Sequence, residues 1–201
     1  MIYRVDETHP PIPSKKPGGT YHWQLYSRRA TLNPFFAFRL GLLFWDHFLP
    51  IYRKQPFQVC ACDPSGPPIA CAISARATQL RIPLNVFVAR REPKSFGTDN
   101  WFDGHAMRSL PVLMVDDAAG SAPFLQAGSI RVQQKLGLPL HRNYFVLVNK
   151  VGRGFSKEAQ HTENYLDNEL VALFTMNNFC RSAAEFEERY GHKPNWTGLV
   201  R

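Results

Sequence analysis

The stretch Pro111 to Phe124, PVLMVDDAAGSAPF, restricts the fold of this chain more than any other. Four apolar residues, Val112 to Val115, run into an acidic pair, Asp116 and Asp117. Small residues from Ala118 to Ala122 follow, then Pro123 and an amphipathic run. That order predicts a buried parallel strand, a tight loop and a helix start. In an open α/β sheet, ligands bind beyond the carboxyl ends of the strands. Two adjacent carboxylates there suit either the vicinal hydroxyls of a sugar or a divalent cation that takes oxygen ligands. A small-residue loop ahead of a helix suits a phosphate, because backbone N–H groups and the helix dipole converge on it. A solvated strand end with no ligand has the same sequence, so the stretch fixes the local fold before it fixes a role.

The flanking chain repeats the strand–helix order. Asn33-Pro34 is a helix start, with an N-cap and proline at the first helical position, and the helix is expected to run to Leu49 and stop at Pro50. Phe57 to Cys62 reads as a buried strand, Asp63 to Pro68 as a tight loop, Ile69 to Leu80 as a helix and Leu84 to Ala89 as the next strand. Arg90 to His105 is long and polar, and reads either as an active-site lid or as a β-hairpin excursion. Phe124 to Leu136 is a helix closed by Gly137, and Asn143 to Asn149 is a strand. Lys150 to Gln160 reads as a loop, Glu163 to Leu173 as a helix, Phe174 to Met176 as a short strand and Asn178 to Tyr190 as a final helix. Tyr21 to Tyr26 is a short aromatic strand. Alternation from residue 57 to 150 gives the class α/β, with a mainly parallel central sheet flanked by helices. One domain is expected over residues 21–190, with an irregular arm at 1–20 and a tail at 191–201.

No apolar run approaches the length of a membrane span, and the start of the chain lacks a signal-peptide core, so a cytoplasmic protein without membrane contact is expected. The formal net charge of +8 favours anionic partners, either phosphorylated small molecules or, as the lesser alternative, nucleic acid. Cys60 and Cys62 are expected on opposite faces of their strand with no histidine nearby, which argues against zinc. Cys60, Cys62, Cys71 and Cys180 are read as buried free thiols. The histidines lie apart without ligand spacing and are read as structural or solvated.

Four motifs fall into one familiar order: TYHWQLYSRRATLNP, then ACDPSGPPIACAISARATQLRIPLNVFVARREPKSFG, then VLMVDDAAGSAP, then FVLVNKVGRG. In this order the chain resembles the type I phosphoribosyltransferases, most of all the orotate enzymes, over roughly residues 20 to 180. The resemblance implies that fold, with a small hood from the N- and C-terminal segments. It also implies a pyrophosphate loop after the strand Phe57 to Cys62, a catalytic loop opening on basic residues, and an Asp-Asp pair before a 5′-phosphate loop. The chain departs from the pattern in several places. Phe96 stands where a histidine is expected, and Asn149-Lys150 stands in place of Asp-Arg. The phosphate loop keeps one hydroxyl, Ser121, and Pro123 removes an N–H donor.

The reaction so implied is displacement of pyrophosphate from phosphoribosyl pyrophosphate by a planar base, with Mg²⁺ on the diphosphate. Lys94, Asp116 and Asp117 are the catalytic residues carried over, and the acidic pair is also the expected metal contact. Arg90 and Arg91 are placed on the substrate with Asp63, Ser65 and Gly66 of the first loop. Ala119, Gly120, Ser121 and Ala122 are placed on the 5′-phosphate, and Lys150 faces the base. A homodimer is implied by the family alone. A catalytically impaired relative, binding phosphoribosyl pyrophosphate, a nucleotide or RNA as a regulator, is the alternative reading.

Overall fold

The computed structural model describes residues 2–4, 12–13, 20–21, 23–25, 27–94, 100–119, 123–149, 169–175 and 183–191. The segment expected to be an irregular arm contains strands. β1 (Ile2–Arg4) pairs antiparallel with β4 (Trp23–Leu25), and β2 (Ile12–Pro13) pairs antiparallel with β3 (Thr20–Tyr21). A short helix, α1 (Ser27–Thr31), leads into α2 (Pro34–Lys54). The Asn33 side-chain carbonyl accepts from the N–H groups of Phe35 (3.1 Å) and Phe36 (3.2 Å), the N-cap read from sequence.

Helix α2 does not stop at Pro50; it runs on to Lys54. Proline removes one helical hydrogen bond, but packing beyond it outweighs that loss. Tyr52 is buried with its ring 5.5 Å from Trp45 and 5.0 Å from Phe57, and its hydroxyl donates to the Pro83 carbonyl.

The central sheet has six strands in the order β10-β9-β8-β5-β6-β7. These are β5 (Gln58–Cys62), β6 (Val86–Ala89), β7 (Phe102–Asp103), β8 (Val112–Ala119), β9 (Leu140–Asn149) and β10 (Glu169–Thr175). All pairs are parallel except β6 with β7. The helices are α3 (Gly66–Gln79), α4 (Pro123–Leu136) and α5 (Ala183–Tyr190). Helix α3 begins earlier than expected, taking Gly66, Pro67 and Pro68 out of the loop. The first helical turn has no partners for its N–H groups, so prolines cost little there.

Two cores sandwich the sheet. Phe44, Trp45, Phe48 and Phe57 pack with Val59, Ile73, Leu113 and Phe145 on the side of α2 and α3. Cys60, Cys62, Phe87, Met114, Leu125 and Val132 form the other core, on the side of α4. Cys60 and Cys62 therefore share a face, as residues two apart on a strand must, which corrects the opposite-face expectation. Cys71 is exposed rather than buried, and Cys180 lies outside the described residues.

Residues 169–173 form strand, not helix. Leu170 and Ala172 face the α4-side core while Val171 and Leu173 face the other, a period of two that a short, uniformly apolar run hides. The Asp-Asp pair lies in the C-terminal half of β8, with Asp116 paired across to Val146, toward the carboxyl end expected from sequence. Among the described residues, no helix is long and apolar enough to cross a membrane.

Candidate active site

Strand order creates the site. From β5 the chain passes through α3 to β6 on one side, while β8 pairs on the other side of β5. Connections leave in opposite directions between β5 and β8, a topological switch point, where open α/β sheets bind ligands. Three neighbouring strands end there, and each brings a predicted group.

The end of β5 carries the turn Asp63-Pro64-Ser65, and the Asp63 N–H donates to the Ala89 carbonyl at 3.0 Å, tying it to the end of β6. Gly66, buried, opens α3 directly behind this turn.

The end of β8 carries Asp116, Asp117 and Ala119. Asp116 is only 7% exposed, and its Oδ1 accepts from the Asp117 N–H at 2.8 Å. Asp117 is half-buried, and its Oδ2 accepts from the Ser27 hydroxyl at 2.5 Å. Ser27 is buried at the start of α1, so the N-terminal region fixes the second carboxylate of the pair. Below the pair lies Cys62. Burial first, and then the negative charge of Asp116, push its thiol well above the ordinary range. Burial of this kind favours the neutral thiol and marks Cys62 as a packing residue of the α4-side core.

The end of β6 carries the cations. Arg90 to His105 begins as a hairpin: Arg90 N–H donates to Trp101 C=O at 2.8 Å, Lys94 N–H to Asn100 C=O at 3.3 Å, and β7 pairs with β6. The Arg90 guanidinium (Nε) lies 2.7 Å from Asp103 Oδ2, and Lys94 Nζ lies 3.2 Å from Asp103 Oδ1. Hydrogen bonding to Arg90, and secondarily to Lys94, holds the Asp103 carboxyl below its usual pKa. From α4, Arg131 donates to the Arg90 carbonyl and lays its guanidinium 4.6 Å from the Trp101 ring centre. Trp101 is thus half-buried under a cation.

The structure therefore brings Asp63, Ser65, Gly66, Arg90, Arg91, Lys94, Asp116, Asp117 and Ala119 to the carboxyl ends of three adjacent strands. Ala119 is buried in the α4-side core. Gly120, Ser121, Ala122, Lys150 and Phe96 lie outside the described residues. Ser27, Asp103 and Arg131 were not singled out from sequence. Each acts across the fold on a residue that was, and sequence holds only a weak signal for one of them, the acidic residue inside a basic excursion.

No group of three or more metal-ligating side chains occurs among the described residues. Magnesium needs no such cage. It is commonly held by one or two carboxylates together with substrate phosphates and water. Asp116 and Asp117, adjacent oxygen donors at a strand end, fit that role; Asp117 already spends one oxygen on Ser27.

A mainly parallel sheet with this strand order, an acidic pair on the strand beyond the switch point and a basic hairpin beside it define a class: the chain has the type I phosphoribosyltransferase fold. Among solved structures it is similar to the orotate phosphoribosyltransferase of Mycobacterium tuberculosis in complex with Fe(III) dicitrate, with a TM-score of 0.61 at 17% identity, covering 85% of this chain and 89% of that one. It is similar to the orotate phosphoribosyltransferase of Aeropyrum pernix, with a TM-score of 0.61 at 17% identity over 95% of this chain and 93% of that one. It is also similar to the adenine phosphoribosyl transferase of Trypanosoma brucei in complex with AMP, pyrophosphate and ribose-5-phosphate, with a TM-score of 0.54 at 14% identity over 80% and 73%. No family model and no curated protein sequence matches the chain. At these identities the likeness is one of fold.

Proposed function

We propose that this protein is a phosphoribosyltransferase of the orotate type, which transfers ribose 5-phosphate from phosphoribosyl pyrophosphate to a pyrimidine-like base and releases pyrophosphate. One observation carries the reading. The ends of β6, β5 and β8 place two cations, a short polar turn and a carboxylate pair side by side at the switch point of the sheet.

In the step, a base nitrogen forms a bond to the anomeric carbon and gives up its proton to solvent water. The bond from that carbon to the diphosphate oxygen breaks, and its electron pair leaves with pyrophosphate. Charge grows on the leaving group, and preorganised cations beside it lower the barrier. Lys94 and Arg90 supply that charge, with Arg91 beside them. Asp116 and Asp117 take the ribose hydroxyls and offset positive charge developing on the ring. Ser27, through its bond to Asp117, holds one of these carboxylates in place. The turn Asp63-Pro64-Ser65, backed by Gly66, borders the diphosphate. Asp116 and Asp117 would hold a Mg²⁺ ion, which would supply further positive charge beside the diphosphate. Ala119 begins the 5′-phosphate loop, Gly120, Ser121 and Ala122 complete it, and Lys150 faces the base. A homodimer completes the proposal.

Pyrophosphate release from phosphoribosyl pyrophosphate and Mg²⁺, measured against orotate, uracil and purines, tests the reading. Base-dependent release lost in Lys94→Ala and Asp117→Asn is the expected outcome and names the acceptor. Ligand binding without release for any base would favour the regulator instead.

A further inference from the structure

Asp103 stands on β7, across from Val88 of β6, and faces both cations that phosphoribosyl transfer needs. One carboxylate oxygen lies 2.7 Å from Arg90 Nε and the other 3.2 Å from Lys94 Nζ. The hairpin stem sets this geometry. Its bonds from Arg90 to Trp101 and from Lys94 to Asn100 keep the cation-bearing strand within reach of β7. Arg131 braces the same stem from α4. The two contacts differ in strength. Arg90 is the closer and more buried partner, while the Lys94 side chain is 46% exposed and sits at the longer distance. An exposed single contact of that kind is weak and exchanges readily for a stronger anion.

We propose that Asp103 is a positioning residue and internal counter-anion: it holds Arg90 and Lys94 together before substrate arrives, keeps Arg90, and yields Lys94 to the diphosphate. The inference rests on the phosphoribosyl-transfer reading. A diphosphate carries more charge than one carboxylate, so it takes over Lys94, and the partly neutralised resting site lets pyrophosphate leave again.

Asp103→Asn tests this. Asparagine keeps an acceptor oxygen for Arg90 but presents an N–H group toward Lys94, so it frees the lysine and removes the competing charge. Binding of inorganic pyrophosphate with Mg²⁺, followed by calorimetry, is expected to tighten about two- to fivefold, the span that exposed ion pairs cover. The gain should shrink as salt is raised. The KM for phosphoribosyl pyrophosphate should fall by a similar factor with no rise in kcat, and Asp103→Glu should restore wild-type values. In a Lys94→Ala background the same substitution should leave pyrophosphate affinity nearly unchanged. Wild-type binding with an Asn variant that is no tighter overturns the inference alone, as does equal tightening without Lys94. Absence of pyrophosphate binding in both wild type and Asn variant overturns the phosphoribosyl-transfer reading and this inference with it.

Discussion

Replacing Gly66 with alanine tests how closely α3 approaches the sheet at the switch point. A Cβ there would lie 2.8 Å from the Val115 carbonyl oxygen, 3.2 Å from Ala61 C and 3.3 Å from Ala61 Cα. All three are backbone atoms of the central strands β5 and β8, and none can rotate away. The helix start must retreat until the first of these contacts lengthens from 2.8 Å to the 3.4 Å at which ordinary contact begins. Overpacking of this kind costs about 1–3 kcal/mol. Alanine's helix-propensity advantage of about 1 kcal/mol belongs to helix interiors, and little of it is recovered at the first helical position. The net loss is then about 1–3 kcal/mol, or a fall in Tm of about 2–12 °C for a chain of this size. Thermal unfolding measures it, and Gly128→Ala is the control. There the new methyl meets Met114 Cε at 3.1 Å and Cys62 Sγ at 3.2 Å, side-chain rather than backbone atoms, so a shift of a few tenths of an ångström suffices. That variant should melt near wild type. If Gly66→Ala melts at or above the temperature of wild type, the close approach of α3 to β8 is wrong. Retreat of α3 also shifts the Asp63-Pro64-Ser65 turn relative to Asp116 and Asp117. Pyrophosphate binding should therefore weaken in Gly66→Ala and stay intact in Gly128→Ala.

Ser27→Ala removes a hydrogen bond to a half-buried carboxylate and should lower stability by about 1.5–3 kcal/mol in denaturant titration; an unchanged midpoint would show that Asp117 does not depend on α1. His141 is buried against Phe57, with Nδ1 accepting from the Asn143 N–H, and burial lowers its pKa. Between that lowered value and the ordinary 6.5, only the unfolded chain is protonated, so its contribution is complete above 6.5 and is lost as pH falls toward the folded value. The limiting slope is about 1.4 kcal/mol per pH unit, and His141→Leu should flatten Tm against pH in that window. Arg131→Ala removes both the hydrogen bond to the Arg90 carbonyl and the cation over Trp101. Amide hydrogen exchange at Arg90 and Lys94 should accelerate, and Trp101 fluorescence should shift toward that of an exposed indole.

Local chemistry made much of this fold legible. Asn33 caps α2 because its side chain reaches N–H groups two and three residues on, and Gly137 ends α4 because it takes a positive φ of 64°. The strand at Val112 to Val115 and the alternation around it need only neighbouring residues to be recognised. These signals placed Asp63, Arg90, Lys94, Asp116 and Asp117 at strand ends. What failed depended on distant partners. Pro50 should stop a helix, yet Trp45, Phe57 and the Pro83 carbonyl hold Tyr52 beyond it. Residues 169–173 read as helix from sequence, and pairing with β9 makes them strand.

The sequence by itself determined which residue types follow the central strands, namely carboxylates, a small-residue loop and cations, the groups that recognition of a phosphorylated sugar would require. Only the tertiary structure decided their working state. Ser27 is 90 positions from Asp117 yet donates to it, and the β6–β7 pairing sets Asp103 between Arg90 and Lys94. Hydrogen bonds and ion pairs act over a few ångströms of space, whatever the separation along the chain, so a carboxylate's partner is settled only when the sheet order is.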